Sequence, residues 1–279
     1  MKKIVLTGAA GSLGSQLRGP LSKMCDTLLS MDIAEDIGAL HPGETYVKAD
    51  IAEMSEVAPL MEGAEMIVHF AAIVDEAPFE KLLGPNFIGS YNVWEAGYQA
   101  GVRRIIYASS IHAVGMHPKQ SHIGIDAEHR PDGFYGLAKC FSEDLGRMYW
   151  DKRGLESVHL RILSCTKTPS NARALGSWLS YDDMVRLVTR AIDTPTTGFS
   201  VIYGVSNNDR CPVDNSAAAY LGYRPQDNAE AYADAVLAAA PEADPTDPAQ
   251  MCHGGPFASV DIGEGAIALL NIPTEKTST

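Results

Sequence analysis

Ile4-Val5-Leu6-Thr7-Gly8-Ala9-Ala10-Gly11-Ser12-Leu13-Gly14 is an apolar run that breaks into a glycine-spaced turn and continues as helix. Gly8, Gly11 and Gly14 form G-x-x-G-x-x-G. The first two let the backbone turn sharply and approach a phosphate, and the third lets the new helix pack against the strand it has left. The N–H groups of Ser12 and Leu13 at that helix start then face a pyrophosphate, which the helix dipole also favours. A second apolar run, Thr27-Leu28-Leu29-Ser30-Met31, ends in Asp32. That spacing puts a carboxylate at the tip of the second strand, where it accepts hydrogen bonds from the adenosine ribose hydroxyls. The residues that follow, Ile33-Ala34-Glu35-Asp36, add acid and no base, so the pattern favours NAD over NADP.

The chain has 279 residues, 46% of them hydrophobic, enough for one large α/β domain, or one domain with a small appended lobe. No apolar run reaches the roughly 18 residues of a membrane span. The Met1-Lys2-Lys3 start leads directly into the glycine turn rather than into a signal-peptide core. A cytoplasmic protein is expected. Five cysteines, an odd number without a C-x-x-C pair, argue against structural zinc and a disulfide framework. The net charge of −13 argues against a nucleic-acid partner. An anionic small molecule stays possible if a basic residue or two line its pocket. His112, His117, His122 and His129 crowd one segment, but their spacings match no metal-ligand motif and Pro118, Gly124 and Pro131 make it a loop, so no metal is expected.

Further along, Gly19-Pro20 predicts a short or kinked first helix. Thr45–Lys48 is a third strand, followed by Asp50-Ile51, a pair placed either to edge an adenine ring or to start the helix near Met54. Met66-Ile67-Val68-His69-Phe70-Ala71-Ala72 reads as a buried central strand running into small residues that suit a backbone beneath a cofactor. A helix from about Pro85 to Gln99 and a strand Arg104–Ala108 ending in Ser109-Ser110 continue the alternation. This rhythm gives a doubly wound parallel sheet of Rossmann type, with ligands beyond the carboxyl ends of the strands. Phe199–Gly204 is a late strand. An alanine-rich helix near 232–240 and the proline- and acid-rich stretch 241–248 look like a small substrate-binding cap and tail. A single domain over 1–279 is expected, with substrate-binding elements mainly in 164–279.

Tyr135 and Lys139 stand four apart on a helix from Phe134 to Trp150, behind the strand-end Ser110. An ammonium beside a phenol lowers its pKa and readies it as a base. T-G-A-A-G-S-L-G at 7–14, V-H-F-A-A at 68–72, Asn86 with Gly89 and Asn92, Ser110, and Y-G-L-A-K at 135–139 together resemble the extended short-chain dehydrogenase/reductases. P-F-E at 78–80, R-P-D-G-F-Y-G at 130–136, R-I-L-S-C-T at 161–166, W-L-S-Y-D-D at 178–183 and D-N-A-E-A at 227–231 extend the resemblance over nearly the whole chain, to that family's uronate dehydrogenase branch.

The resemblance implies Tyr135 as general base, Lys139 as the group that lowers its pKa and holds the nicotinamide ribose, and Ser110 as hydrogen-bond donor to the reacting oxygen. It places Phe70, Ala71, Ala72, Ile162 and Cys165, with the glycine turn, Asp32, Ile33, Asp50 and Ile51, around NAD. It places Val74, Ile111, His112, Ser164 and Arg173 around the substrate, Arg173 as the fork for a carboxylate. Val74 and Ile111 depart from that branch, which usually has serine and asparagine there, and both remove hydrogen-bonding capacity. The implied activity is NAD-dependent oxidation of C1 of a hexuronic acid to an aldarolactone, in a homo-oligomer. Three alternatives stay open on the sequence: a neutral-sugar 1-dehydrogenase, a sugar-nucleotide epimerase or dehydratase, and an NAD-sensing protein without turnover.

Overall fold

The computed structural model describes residues 1–240, 242 and 244–270. Residues 241 and 243 of the acid-rich stretch, and the last nine residues of the expected tail, lie outside the described residues. A seven-stranded parallel sheet forms the centre. Its strands are β1 (Lys3–Thr7), β2 (Thr27–Asp32), β3 (Glu44–Lys48), β4 (Met66–His69), β5 (Arg104–Tyr107), β6 (Glu156–Ile162) and β7 (Phe199–Gly204), in the spatial order β7-β6-β5-β4-β1-β2-β3. The order reverses at β1, whose Thr7 pairs with Met31 on one side and His69 on the other. That reversal opens a crevice at the carboxyl ends. The doubly wound Rossmann-type sheet expected from the sequence is the fold observed.

Side chains alternate across β1 into two cores. Ile4 and Leu6 pack with Leu17 and Leu21 of α1 (Ser12–Ser22) and with Met184, Leu187 and Val188 of a later helix. Val5 packs with Val93 and Trp94 of α2 (Gly89–Gln99) and with Leu145 and Tyr149 of α3 (Phe134–Arg153). Period-two alternation thus feeds one core on each face of the sheet. The later helix is α4 (Tyr181–Asp193), capped where the Ser180 hydroxyl accepts the Asp183 N–H.

Some local expectations shift. The short α1 is as expected, with Pro20 in its last turn, where it has no N–H to return to the Gln16 carbonyl and the helix ends two residues later. The helix expected to begin at Pro85 is already helical at Phe79 and passes Pro85 through a π-helical segment, Leu83–Ile88, before α2. A widened turn accommodates a proline that has no N–H to offer. Two elements carried no expectation, β6 and α4. Every residue of β6 is buried although Glu156, His159 and Arg161 interrupt its apolar pattern. The tertiary fold supplies their partners. Arg104 Nε donates to Glu156 Oε2 at 2.9 Å across the β5–β6 pair, and Arg161 Nη2 to Glu143 Oε2 of α3 at 2.8 Å.

Candidate active site

The carboxyl ends of β1, β2, β4, β5 and β6 bring most of the predicted residues to one edge. Gly8 takes φ +75°, and a Cβ there would lie 2.6 Å from the Ala71 nitrogen, so the turn and the Phe70–Ala71 backbone touch. A Cβ on Gly14 would lie 1.9 Å from the Gly8 oxygen, which fixes glycine where α1 crosses the turn. Thr7 Oγ1 ties the two strand ends by accepting the Ala71 N–H at 3.2 Å. Asp32 follows suit: Oδ2 accepts the Ala10 N–H at 2.9 Å and Oδ1 the Ala34 N–H at 3.2 Å. Its carboxylate is thereby aimed across the mouth of the turn. Lys48 lies opposite Asp32 in the β2–β3 register but is paired with Glu35, so it offers no free cation there. Ile33 is largely exposed beside it. Asp50 is exposed, whereas Ile51 is buried in the core. Asn92 Nδ2 donates to the Ile51 and Ala52 carbonyls at 2.9 Å each, and Asn86 brackets Ile73 through both its amide atoms. These two asparagines hold the loops after β3 and β4.

Ser110, Tyr135 and Lys139 converge. The Ser110 hydroxyl accepts the His112 N–H at 3.3 Å and lies near enough to the Tyr135 phenol to favour its ionised form. Lys139 Nζ donates to the Ala108 carbonyl at 2.7 Å and stands 5.2 Å from the Tyr135 ring centre. Burial pushes the Tyr135 phenol well above its ordinary range, opposed by the neighbouring Ser110 hydroxyl and reinforced by Asp132 and Asp75. Burial also pulls Lys139 down to about 7, with Glu143 opposing. Both groups are buried, and desolvation is the largest influence on each.

Of the residues tied to the substrate side, Val74 is 55% exposed on the loop after β4, but Ile111 is fully buried among Val114, Ile123, Leu163 and Tyr203. Ile111 is therefore a packing residue in this fold, not a lost polar contact. His112 Nδ1 pairs with Asp132 Oδ2 at 2.7 Å, and its ring stacks on Phe257 with centres 3.9 Å apart. Ser164 Oγ accepts from Arg173 Nη1 at 2.9 Å, and Arg173 Nη2 donates to the His253 carbonyl at 2.7 Å. Burial lowers Arg173 to about 10, with Asp132 opposing. Ile162 bridges to Ser110, and Cys165 is half-buried beside Met184.

Glu76, Asp132, Phe257 and His253 were not among the site residues expected from the sequence. Glu76 is buried and accepts the N–H groups of Phe134, Tyr135 and Gly263 at 2.9, 2.8 and 2.9 Å. Asp75 Oδ1 accepts those of Ala266 and Ile267 at 2.8 and 3.0 Å. This adjacent acid pair fastens the C-terminal segment over the site. The R-P-D-G run before α3 is a signal that could have marked Asp132; nothing local marks the others. A cavity of about 450 Å³ lined by Tyr98, Arg103, Trp150, Arg153 and Pro195 lies at the opposite edge of the sheet, remote from this chemistry. Among the described residues no three His, Cys, Asp or Glu side chains are grouped to hold a metal, all five cysteines are free, and no helix is long and apolar enough to cross a membrane.

The positive-φ glycine turn, the aimed Asp32 carboxylate and the paired Lys48 fit a dinucleotide without a 2′-phosphate. Comparison with known proteins agrees. The chain is 43% identical over 257 residues to a uronate dehydrogenase of Pseudomonas putida, covering 92% of this chain and 95% of that one. A mutant uronate dehydrogenase from Agrobacterium tumefaciens, crystallised with NAD, superposes with a TM-score of 0.90 at 40% identity, covering 94% of this chain and 98% of that one. A glucuronic acid dehydrogenase from Chromohalobacter salexigens matches with a TM-score of 0.90 at 38% identity, over 93% and 97%. The sequence pattern of one family matches residues 4–166, more than half of the chain, and with the relatives just described it shows that the protein belongs to the NAD dependent epimerase/dehydratase family.

Proposed function

We propose that this chain is an NAD-dependent oxidoreductase that oxidises the anomeric C1 of a hexuronic acid such as glucuronate or galacturonate to an aldarolactone. The observation that carries this reading is the meeting of the Ser110 hydroxyl with the Tyr135 phenol at the strand ends, with the Arg173 guanidinium placed beyond Ser164. It is supported by relatives named for uronate oxidation over nearly the full chain.

In this reading the Tyr135 oxygen takes the proton of the C1 hydroxyl while Ser110 hydrogen-bonds the same oxygen. The C1–H bond breaks with its electron pair, and C1 gains a double bond to oxygen. When bound, NAD supplies the acceptor for that pair and a positive ring that favours the phenolate. Lys139, held by the Ala108 carbonyl, contacts the nicotinamide ribose, and Asp32 the adenosine ribose. Arg173 forks a substrate carboxylate, and His112, oriented by Asp132, contacts a sugar hydroxyl. Tyr135 then needs a charged Lys139 nearby to ionise at all, because burial alone holds its proton on.

We also assign the whole of 1–279 to one working domain and infer a homo-oligomer. Phe87, in the π-helical segment that leads into α2, and Phe141 of α3 have ring centres 5.4 Å apart, and Tyr91, Leu137, Phe141 and Met148 leave an exposed apolar strip on α2 and α3. A second copy of the same strip would cover it. The cytoplasmic location belongs to the same reading and is supported by five unpaired cysteines.

The deciding experiment compares glucuronate, glucose and galactose at saturating NAD⁺, with Arg173→Ala alongside. A charge-assisted contact contributes about 1.5–3 kcal/mol, so the variant should raise KM for glucuronate roughly tenfold or more and barely affect a neutral sugar. A preference for neutral sugars that Arg173→Ala leaves unchanged would reject the uronate assignment.

A further inference from the structure

Beside Arg173 lies a cavity of about 120 Å³ whose lining includes Lys119, Arg210 and His253. At that volume it admits a small polyatomic anion, a carboxylate or phosphate group. Its charges are unbalanced in a chain of net charge −13. Arg210 is neutralised by a two-pronged pair with Glu230, Nε at 2.9 Å and Nη2 at 2.8 Å. Lys119 is not: among the described residues its Nζ has neither a hydrogen bond nor an ion pair. Arg173 forms hydrogen bonds only to a hydroxyl and a carbonyl; the carboxylate that acts on it electrostatically, Asp132, gives Oδ2 to His112 and keeps Oδ1 without a hydrogen bond.

The two cations feel each other. Lys119 is lowered by burial and then by Arg173, and His253 is lowered by burial and by Arg173, His117 and Lys119 together, despite the Ser121 carbonyl at its Nε2. Placing two like charges against one partly buried cavity is unfavourable unless an anion joins them. The backbone holds the arrangement in place. The Lys119 N–H donates to the Met251 carbonyl at 2.7 Å, and the His253 N–H to the His117 carbonyl at 3.0 Å. The loop after β5 and the C-terminal segment are thus paired where they flank the cavity.

We propose that Lys119 is the second cation of the substrate's anion subsite: with Arg173 it encloses a pocket for the oxyanion at the end of the sugar remote from C1, and this double charge also accepts a phosphate dianion. The inference rests on the uronate reading for the identity of the sugar, but not for the anion pocket itself. Arginine supplies a planar fork and lysine a point charge, a combination that suits phosphate as well as carboxylate. With Ile111 buried in the core and Val74 apolar, the anionic end of the substrate carries a larger share of recognition than the sugar hydroxyls on that side.

The test is steady-state oxidation of glucuronate at constant ionic strength, with inorganic phosphate as competitor, for the unmutated protein, Lys119→Gln and Lys119→Arg. Phosphate should compete with glucuronate. Lys119→Gln should raise KM about tenfold with kcat within about twofold, and weaken phosphate inhibition by more than it weakens glucuronate; Lys119→Arg should restore most of both. An unchanged KM in Lys119→Gln, or phosphate that does not compete, overturns the proposal. Calorimetric titration of inorganic phosphate into the unmutated protein and Lys119→Gln reads the pocket without turnover. Phosphate binding that depends on Lys119 in a protein that oxidises no uronate would sink the functional reading and leave the pocket standing. Uronate oxidation with phosphate binding indifferent to Lys119 would do the reverse.

Discussion

The Glu76 carboxylate accepts the backbone N–H of Tyr135 at 2.8 Å, so the residue that would carry the proton chemistry is seated by an acid from the loop after β4. The same carboxylate takes the N–H groups of Phe134 and Gly263. An anion at a helix start satisfies N–H groups that the helix leaves open and meets the positive end of its dipole. Glu76→Gln should cost about 1–3 kcal/mol, and lower kcat while NAD⁺ affinity, set at the other half of the crevice, holds. Thermal denaturation and fluorescence titration with NAD⁺ would check the two parts; an unchanged melting temperature would refute the seating role.

Tyr135→Phe keeps the ring that packs near His112 and Phe257 and removes only the oxygen. Turnover should fall by roughly two to four powers of ten with NAD⁺ binding largely intact. A variant that kept most of its rate in a direct NADH assay would take the base role away from Tyr135.

Lys139 makes function and stability oppose each other. Its folded pKa of about 7 lies below its ordinary 10.5, so the folded state binds the proton less readily than the unfolded one. The charged form therefore carries a folding penalty that is complete below pH 7, and stability rises as pH climbs from about 7 towards 10.5. Lys139→Met should abolish turnover yet raise the melting temperature most at pH 6, the gain shrinking by pH 9. Calorimetric scans at the two pH values would show it; a variant less stable than the parent at pH 6 contradicts the argument.

Asp32 stands at the tip of β2, and Lys48, opposite it in the β2–β3 register, is paired with Glu35. Asp32→Ala should narrow a strong preference for NAD⁺ over NADP⁺, and Glu35→Ala, by freeing Lys48 beside the same strand tip, should improve NADP⁺ binding alone. Dissociation constants for both cofactors across the three proteins provide the check. Equal affinities in the unmutated protein would end this account.

Ile111 and Val74 looked equivalent along the chain and differ in space. Ile111→Asn would bury an amide among Val114, Ile123 and Leu163 without a designated partner, costing about 1–3 kcal/mol. Val74→Ser, on an exposed loop, should leave stability nearly unchanged and can only act on substrate affinity. Urea denaturation of both variants, alongside KM for glucuronate, separates the two cases.

The glycine turn, Asp32 and the strand–helix alternation were legible because they are local: a positive-φ turn needs glycine at Gly8, and parallel strands buried on both faces need continuous apolar runs. Tyr135 and Lys139 were legible for the same reason, since residues four apart share a helix face. The strand β6 escaped because its polar residues are paid for at long range, Glu156 by Arg104 and Arg161 by Glu143. Tertiary structure alone decided that Glu76 seats Tyr135, that Asp132 holds His112, and that Lys119 joins Arg173 at one cavity. It also decided that burial is the largest influence on the Tyr135 phenol. Burial and opposition between distant segments depend on how the whole chain closes on itself, and no spacing along the sequence encodes the solvent a side chain has lost.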